Sequence, residues 1–223
     1  MSNVRETPRI SVNKLAEYMV ATPARRRGII RDQKVKRDFI VARYQPVYAG
    51  VAECLATGDV SVIYTKLEQL YEATPTSTWE LQDNQLSVEA LELFASFVDE
   101  IDLARFRVVR SGQALPRMDV SGTEVSVKPC VILRNHEDSE TVGAVHVYIS
   151  KLFSFGDDAA AYATTTVHRY VEDVLSSRKA SPADSFVIDV FARRIHSGPR
   201  AYKRRRNDIA AACEEIAQRW AAI

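Results

Sequence analysis

The sequence predicts an α+β protein, or more broadly an α/β protein, in which a helical N-terminal half packs on a mixed central sheet. Up to about residue 104, apolar residues repeat at spacings of three and four, which is the period of an amphipathic helix. From about residue 105 the period changes to two, which is typical of strands. We therefore divide the chain into a helical region, 1–104, and a mixed α/β core, 105–223, and expect one compact unit.

Length and composition are those of an ordinary globular protein. The 223 residues are 46% hydrophobic and 26% charged, so the chain buries a substantial core without disulfides or structural metals. Cys54, Cys130 and Cys213 are far apart and odd in number, so we interpret them as small buried hydrophobes in a reducing compartment. No stretch resembles a signal peptide or reaches the roughly 18 apolar residues of a membrane span, so we expect a cytoplasmic protein without a membrane partner.

Five helical segments are predicted in the N-terminal half. They cover residues 10–20, 24–33, 44–56, 60–73 and 88–101. Ser11 or Asn13 is available to cap the first helix, and Thr22-Pro23 separates it from the second. We expect Ser87 to cap the fifth helix, because the apolar stripe of that helix follows it directly.

Four strands and two helices are predicted in the C-terminal half. The strands lie around 106–108, within 120–133, over 142–150 and over 186–192, and the helices cover 159–177 and 207–222. The polar segment 135–141 separates two strands as a hairpin loop, and Asp157 or Asp158 is available to cap the first helix. The predicted order is therefore strand, strand, strand, helix, strand, helix.

This order, together with the residues around Pro129 and Lys151, resembles the restriction-endonuclease-like core of the PD-(D/E)XK superfamily over roughly residues 106–223. Members place an acid after a proline in one strand and an acid-x-Lys motif in the next. Here Lys128-Pro129-Cys130 stands at the first motif and Ile149-Ser150-Lys151 at the second, so both acids are absent. The resemblance implies a nuclease-like fold with a degenerate metal site, in which Cys130 and Lys151 approach each other.

Oxygen ligands decide whether such a site is catalytic. Phosphodiester hydrolysis in this architecture requires carboxylates that hold Mg²⁺, which neither cysteine nor isoleucine replaces. An active enzyme would retain Lys151 and use relocated ligands, for which Asp119, Glu124 and Asp189 are available. No cofactor is implied unless the protein is an active nuclease, in which case the cofactor is Mg²⁺.

The RecB-type branch of that superfamily has a Gln-x-x-x-Tyr motif on the helix that follows the third strand. The nearest counterpart is Thr166-x-x-x-Tyr170, which lacks the glutamine. We therefore interpret Tyr162 and Tyr170 as packing residues. His146, Tyr148 and Ser150 alternate on one face of the third strand, where they line a pocket or face water.

Charge is strongly segregated along the chain, although the net charge is only +1. Residues 25–43 contain eight basic and two acidic residues, and residues 193–206 contain seven basic residues and no acid. Between them, residues 44–103 contain eleven acidic residues and one lysine. The surface should therefore be electrically patched.

Two groups of basic residues are candidates for phosphate contact. The first follows a helix and a Thr-Pro turn, an outline similar to a helix-turn-helix, and the second precedes the last helix, where cations are locally unfavourable. Alternatively, both groups are solvated faces or pair with the acidic middle of the chain. The candidates are Arg25, Arg26, Arg27, Arg31, Lys203, Arg204, Arg205 and Arg206.

Three functions remain open from the sequence. The first is a nucleic-acid-associated protein, binding DNA or RNA, with a nuclease-like core and a degenerate metal site. The second is an active Mg²⁺-dependent nuclease with relocated ligands. The third is a protein-interaction or regulatory module whose acidic helices, residues 44–103, bind a basic protein partner.

Overall fold

The computed structural model describes residues 4–35, 43–112, 115–175 and 177–222, and confirms the α+β class. The helices are α1 (Val12–Val20), α2 (Pro23–Lys34), α3 (Gln45–Thr57), α4 (Ser61–Glu72), α5 (Thr78–Ala95), α6 (Asp157–Asp173) and α7 (Tyr202–Trp220). The strands are β1 (Arg9–Ser11), β2 (Arg107–Arg110), β3 (Met118–Val120), β4 (Thr123–Ser126), β5 (Val131–Arg134), β6 (Thr141–Tyr148), β7 (Ser185–Asp189) and β8 (Arg194–Ser197). Short 3-10 helices cover Val98–Glu100 and Pro182–Asp184.

The described strands form two sheets. The larger has the order β2-β5-β6-β7-β8, and all its neighbours pair antiparallel except β6 and β7, which run parallel. A parallel pair needs a long crossover connection, which here contains α6. The smaller sheet has the order β1-β4-β3, with β1 parallel to β4. Backbone pairing therefore ties the N-terminal segment to the C-terminal half.

Helices cover both faces of the five-stranded sheet. Val131 and Val145 pack with α3, α4 and α5 on one face, whereas Ile132 and Ala144 pack with α1, α2, α6 and α7 on the other. Alternate residues of β5 and β6 thus belong to different cores, as the pleat of a strand requires. Among the described residues, no helix is long and apolar enough to cross a membrane.

Helix α5 begins ten residues before the position predicted from the sequence. Ser77 is its N-cap, since its hydroxyl accepts a hydrogen bond from the Glu80 N–H at 3.2 Å. The Glu80 carboxylate in turn accepts from the Thr76 N–H at 2.7 Å, which is close to a capping box. Ser87 is buried inside the helix, so its prediction as the N-cap was wrong.

The strands of the C-terminal half also differ from their predicted bounds. The single β-rich run predicted within 120–133 is divided into β4 and β5, which belong to different sheets. Strand β8 was not predicted, because Arg194–Ser197 has no alternation of apolar and polar residues. It pairs with β7 after a turn in which Arg193 has a positive φ of 52°.

A substitution at Gly143 can test how closely β6 packs against the 3-10 helix at Pro182–Asp184. A Cβ atom at this glycine would lie 1.9 Å from the Asp184 carbonyl oxygen, so a side chain requires the backbones to separate. We expect Gly143→Ala to lower the free energy of unfolding by about 3 kcal/mol, measured by urea denaturation. Gly156→Ala is the matched control, because its Cβ would meet nothing within 4 Å and its φ is −72°. Equal stability of the two variants would contradict this packing.

Candidate functional site

A cleft of about 530 Å³ opens beside the starts of α1 and α3, and we call it the α1–α3 cleft. The end of β2, the segment between β4 and β5, and the middle of β6 complete its wall. Its main polar and charged lining residues are Asn13, Gln45, Tyr48, Arg110, Lys128 and His146. Several residues that the sequence singled out lie in this cleft: Ser11, Asn13, Lys128, Pro129, Cys130 and His146.

His146 is the most buried polar side chain of the cleft, with 5% of its surface exposed. Its Nδ1 lies 3.0 Å from the Lys128 carbonyl oxygen and its Nε2 lies 2.7 Å from Asn13 Oδ1. Burial lowers the pKa of His146 to about 4, and the bond to Lys128 only partly opposes this shift. His146 therefore cross-links β6, α1 and the segment before β5 as a neutral imidazole.

The protonation of His146 also defines the role of Asn13. A neutral imidazole has one N–H group, and the Lys128 carbonyl oxygen can only accept it. Nε2 then accepts a hydrogen bond, which requires the Asn13 amide to turn its NH₂ group toward the ring. The sequence suggested Asn13 only as a helix cap, and no local signal marks it as the partner of a residue 133 positions away.

Cys130 lies beside His146 in the cleft without the properties of a nucleophile. Its backbone N–H donates to the Val145 carbonyl oxygen at 2.8 Å, and its Sγ donates to the same oxygen at 3.3 Å. Burial raises the pKa of the thiol to about 12. Because the thiolate is the reactive form of cysteine, we expect the protonated thiol of Cys130 to be a poor nucleophile at neutral pH.

The α1–α3 cleft is electropositive. Lys128 is exposed and has no ion-pair partner among the described residues, and Arg110 has only a long contact of 3.9 Å with Glu53. No aspartate or glutamate is found among the described lining residues. The start of α1 adds the partial positive charge of a helix N-terminus, whereas at the start of α3 the Tyr44 N–H already donates to the Asp83 carboxylate at 3.1 Å. Such a lining favours an anion.

The three residues predicted as catalytic are not brought together. Lys151 follows the end of β6, where it pairs with Glu89 of α5 and lies 5.3 Å from the centre of the Phe191 ring. Asp119 and Glu124 face each other across β3 and β4 in the small sheet. The expectation that Cys130 and Lys151 approach each other is not met either, since the register places Cys130 beside Val145.

Asp189, another candidate metal ligand, is buried and already bonded within the chain. One carboxylate oxygen accepts hydrogen bonds from the Phe155 N–H at 2.9 Å and the Ser154 hydroxyl at 3.2 Å. The other accepts from the Ala192 N–H at 3.2 Å. Asp189 thus holds two loops at the end of β7. No three His, Cys, Asp or Glu side chains form a metal-binding group within the described ranges.

Arg25 fastens α2 to α1 through a buried carboxylate. Glu17, with 5% of its surface exposed, accepts contacts from Arg25 at 2.6 Å and from Lys14 at 2.7 Å. Burial by itself would raise the pKa of Glu17, but the hydrogen bonds from Lys14 and Arg25 outweigh it and lower the pKa. Arg25 is therefore engaged within the chain.

The other predicted cations of α2 divide into two kinds. Arg26 donates to the Tyr18 carbonyl oxygen at 3.0 Å and to that of Met19 at 3.2 Å, so it also joins α2 to α1. Arg27 and Arg31 are exposed and make no ion pair with any other described residue. These two side chains remain available to an external anion.

The cations that were predicted to precede the last helix lie inside its first turns, because α7 begins at Tyr202. Arg206 pairs with Glu172 and donates to His168 Nδ1 at 3.0 Å, and Arg205 donates to the Ala201 carbonyl oxygen at 3.4 Å. Lys203 and Arg204 are exposed and unpaired among the described residues.

Where the structure describes them, at residues 25–35, 43 and 193–206, the two basic segments form no ion pair with the acidic middle of the chain, a pairing that the sequence allowed. Arg25 and Arg206 contact Glu17 and Glu172, which both lie outside residues 44–103. Within the described part of the chain, residues 44–103 form ion pairs with Arg110 and Lys151 instead. The two charge patches therefore remain separate.

Tyr162 and Tyr170, which were interpreted as packing residues, have inward contacts on α6. Tyr170 is fully buried, and its hydroxyl donates to the Pro116 carbonyl oxygen at 3.0 Å. The Tyr162 hydroxyl donates to Asp208 at 3.2 Å on α7. Both side chains therefore hold α6 against its neighbours.

We expect the stability of the protein to depend on pH through His146. The pKa of His146 is about 4 when folded and 6.5 without the fold, so the unfolded chain binds the proton first. Stability should fall as the pH falls from 6.5 to about 4, by at most about 3 kcal/mol from this group. His146→Gln should flatten this dependence in urea denaturation curves. His136→Gln, at an exposed position, is the control, and an unchanged slope in His146→Gln would contradict the assignment.

Arg206 and Arg204 should differ in their effect on folding. Arg206→Ala removes the arginine partner of Glu172, a carboxylate with 30% of its side chain exposed, and should lower the free energy of unfolding by about 2 kcal/mol. Arg204→Ala, at an exposed position, should change it by less than about 0.5 kcal/mol. Thermal unfolding of the two variants provides the comparison, and equal losses would refute the structural role of Arg206.

Comparison with known proteins assigns no function to this site. No protein-family model matches the chain, and no curated protein matches it.

Proposed function

We propose that this protein binds nucleic acid, that the α1–α3 cleft receives a backbone phosphate, and that no metal-dependent cleavage follows. One observation carries the proposal: the cleft presents Lys128 and Arg110, and its described lining contains no carboxylate. Cations that neutralise phosphates release the counterions condensed on the nucleic acid, which favours binding. The start of α1 also lies in the cleft, and helix N-termini favour phosphates.

The shape and position of the cleft favour a nucleic acid over a small free anion. A volume of about 530 Å³ is far larger than a phosphate requires, and Tyr48 adds an aromatic side chain on which a base can stack. The cleft also contains Cys130, which occupies the first acid position in the resemblance to restriction-endonuclease-like proteins. Exposed cations outside the cleft, Lys203 and Arg204 on α7, have no described partner and can contact a longer strand.

The chemistry of the cleft argues against Mg²⁺-dependent hydrolysis. A hard cation requires oxygen ligands, and the described cleft supplies a cysteine thiol, an imidazole and amides in place of carboxylates. Asp119, Glu124 and Lys151 lie elsewhere in the fold and do not complete a site. The function proposed is therefore recognition, with the degenerate site retained as a binding cleft.

Lys128 and Arg110 provide the test. We expect the Lys128→Ala/Arg110→Ala double variant to bind single-stranded DNA and RNA about tenfold more weakly at low salt, measured by fluorescence anisotropy in EDTA. The slope of log affinity against log salt should fall by roughly 1.4, because two phosphate contacts to a single strand are lost.

Arg27→Ala/Arg31→Ala is the matched control, since it removes the same charge from α2 outside the cleft. An equal loss in both double variants would show that affinity follows net charge alone and would refute the cleft as the binding site. Incubation of wild-type protein with the same oligonucleotides in Mg²⁺ or Mn²⁺ should leave them intact. Cleavage that Lys151→Ala abolishes would instead establish the nuclease alternative.

A further inference from the structure

Exposed apolar side chains are concentrated on the hairpin formed by α4 and α5. Of the seven large hydrophobic residues exposed in the described chain, three lie here: Tyr64 at 53%, Tyr71 at 63% and Leu81 at 46% exposure. Tyr64 and Tyr71 are seven residues apart and therefore share one face of α4. A clustered, exposed apolar surface indicates an interaction site, whereas isolated exposed hydrophobes are common.

A groove of about 320 Å³ runs between the two helices at this surface, and we call it the α4–α5 groove. Its apolar lining is Leu70, Tyr71, Ala73, Pro75, Leu81 and Val88. The Tyr71 hydroxyl donates to Glu92 at 2.7 Å, which holds the ring across α5. The groove thus has a fixed aromatic wall and an open side that faces solvent.

The surroundings of the α4–α5 groove are acidic. Residues 61–95 contain six acidic residues and one lysine, and the lysine, Lys66, donates its ammonium to Gln69. Glu68 and Glu72 are exposed on α4 and have no partner among the described residues. An apolar groove bordered by unpaired carboxylates is complementary to a ligand that is apolar on one face and basic on the other.

We infer that the α4–α5 groove binds a basic amphipathic helix of a partner protein. Such a helix places apolar side chains at spacings of three and four into a groove and presents its lysines or arginines to the border. Nucleic acid and anionic lipid surfaces are repelled by the same carboxylates. This site is separate from the α1–α3 cleft and does not depend on the function proposed for that cleft.

A second copy of this chain is a poorer occupant of the groove than a separate basic helix. Its basic helices have already buried their apolar residues, Ile29 and Ile30 in α2 and Ile209 and Ile216 in α7. Neither helix therefore offers apolar anchors and free cations on the same face. The occupant inferred here is accordingly a helix from another protein.

The test uses the 223-residue chain and a labelled peptide of leucine and lysine, with leucine at helical spacings of three and four. We expect wild-type protein to bind it in fluorescence anisotropy, and Tyr71→Ser/Leu81→Ser to bind about tenfold more weakly. Glu68→Gln/Glu72→Gln should weaken binding and reduce its salt dependence. The peptide with every lysine replaced by glutamate should not bind.

Two control variants distinguish binding in the groove from nonspecific hydrophobic binding and from binding at the α1–α3 cleft. Leu152→Ser removes a side chain that is 99% exposed elsewhere and should bind the peptide like wild type, as should Lys128→Ala/Arg110→Ala. Unchanged binding by both groove variants, or equal binding of the glutamate peptide, would overturn the inference. So would a wild-type dimer in sedimentation that Tyr71→Ser/Leu81→Ser converts to a monomer, because the occupant would then be a second copy.

Discussion

The pairing of β5 with β6, buried on both faces, is the constraint on which the rest of the structure depends. Val131 lies opposite Val145 in one core, and Ile132 lies opposite Ala144 in the other. A slip of one residue would exchange these sets between the two cores, so burial selects a single register. The same register places Cys130 beside His146, which defines the α1–α3 cleft.

The surface charge of the fold depends on which basic side chains form ion pairs with buried carboxylates and which do not. Glu17 and Glu172 each engage one arginine and hold helices together, because an unpaired carboxylate away from water is costly. Cations that find no such partner, among them Lys128 and Arg204, stay exposed. The acidic helices α4 and α5 pack on one face of the five-stranded sheet, and the free cations of α2 and α7 lie on helices of the other face. Two surfaces of opposite charge result.

Two sites of the fold suit different ligands. The α1–α3 cleft contains two cations and the start of α1, whereas the α4–α5 groove is apolar and lies beside the exposed carboxylates of Glu68 and Glu72. The two ligands proposed above would not compete, since the cleft and the groove share no lining residue. His146 contributes to the first site as a structural cross-link whose neutral state requires burial.

The sequence by itself determined the α+β class, the positions of most helices and the segregation of charge. Ser11 caps α1 and Gly58 ends α3 in the left-handed conformation, and both signals depend only on neighbours in the chain. The spacing of apolar residues and the identity of capping residues are local properties of the chain, so they can be recognised in the sequence before the fold is known. A local signal also misled at Ser87, where a serine before an apolar stripe resembles a cap.

Only the tertiary structure decided the site. It determined that Arg206 is engaged while Arg204 is free, that Asp189 is a loop anchor, and that Asn13 meets His146 from 133 residues away. A polar side chain either bonds to other residues of the chain or stays free to bind a ligand. Which of the two occurs depends on residues that are distant in sequence and become neighbours only when the chain packs. That information is absent from any short stretch of sequence, because it belongs to contacts between distant segments.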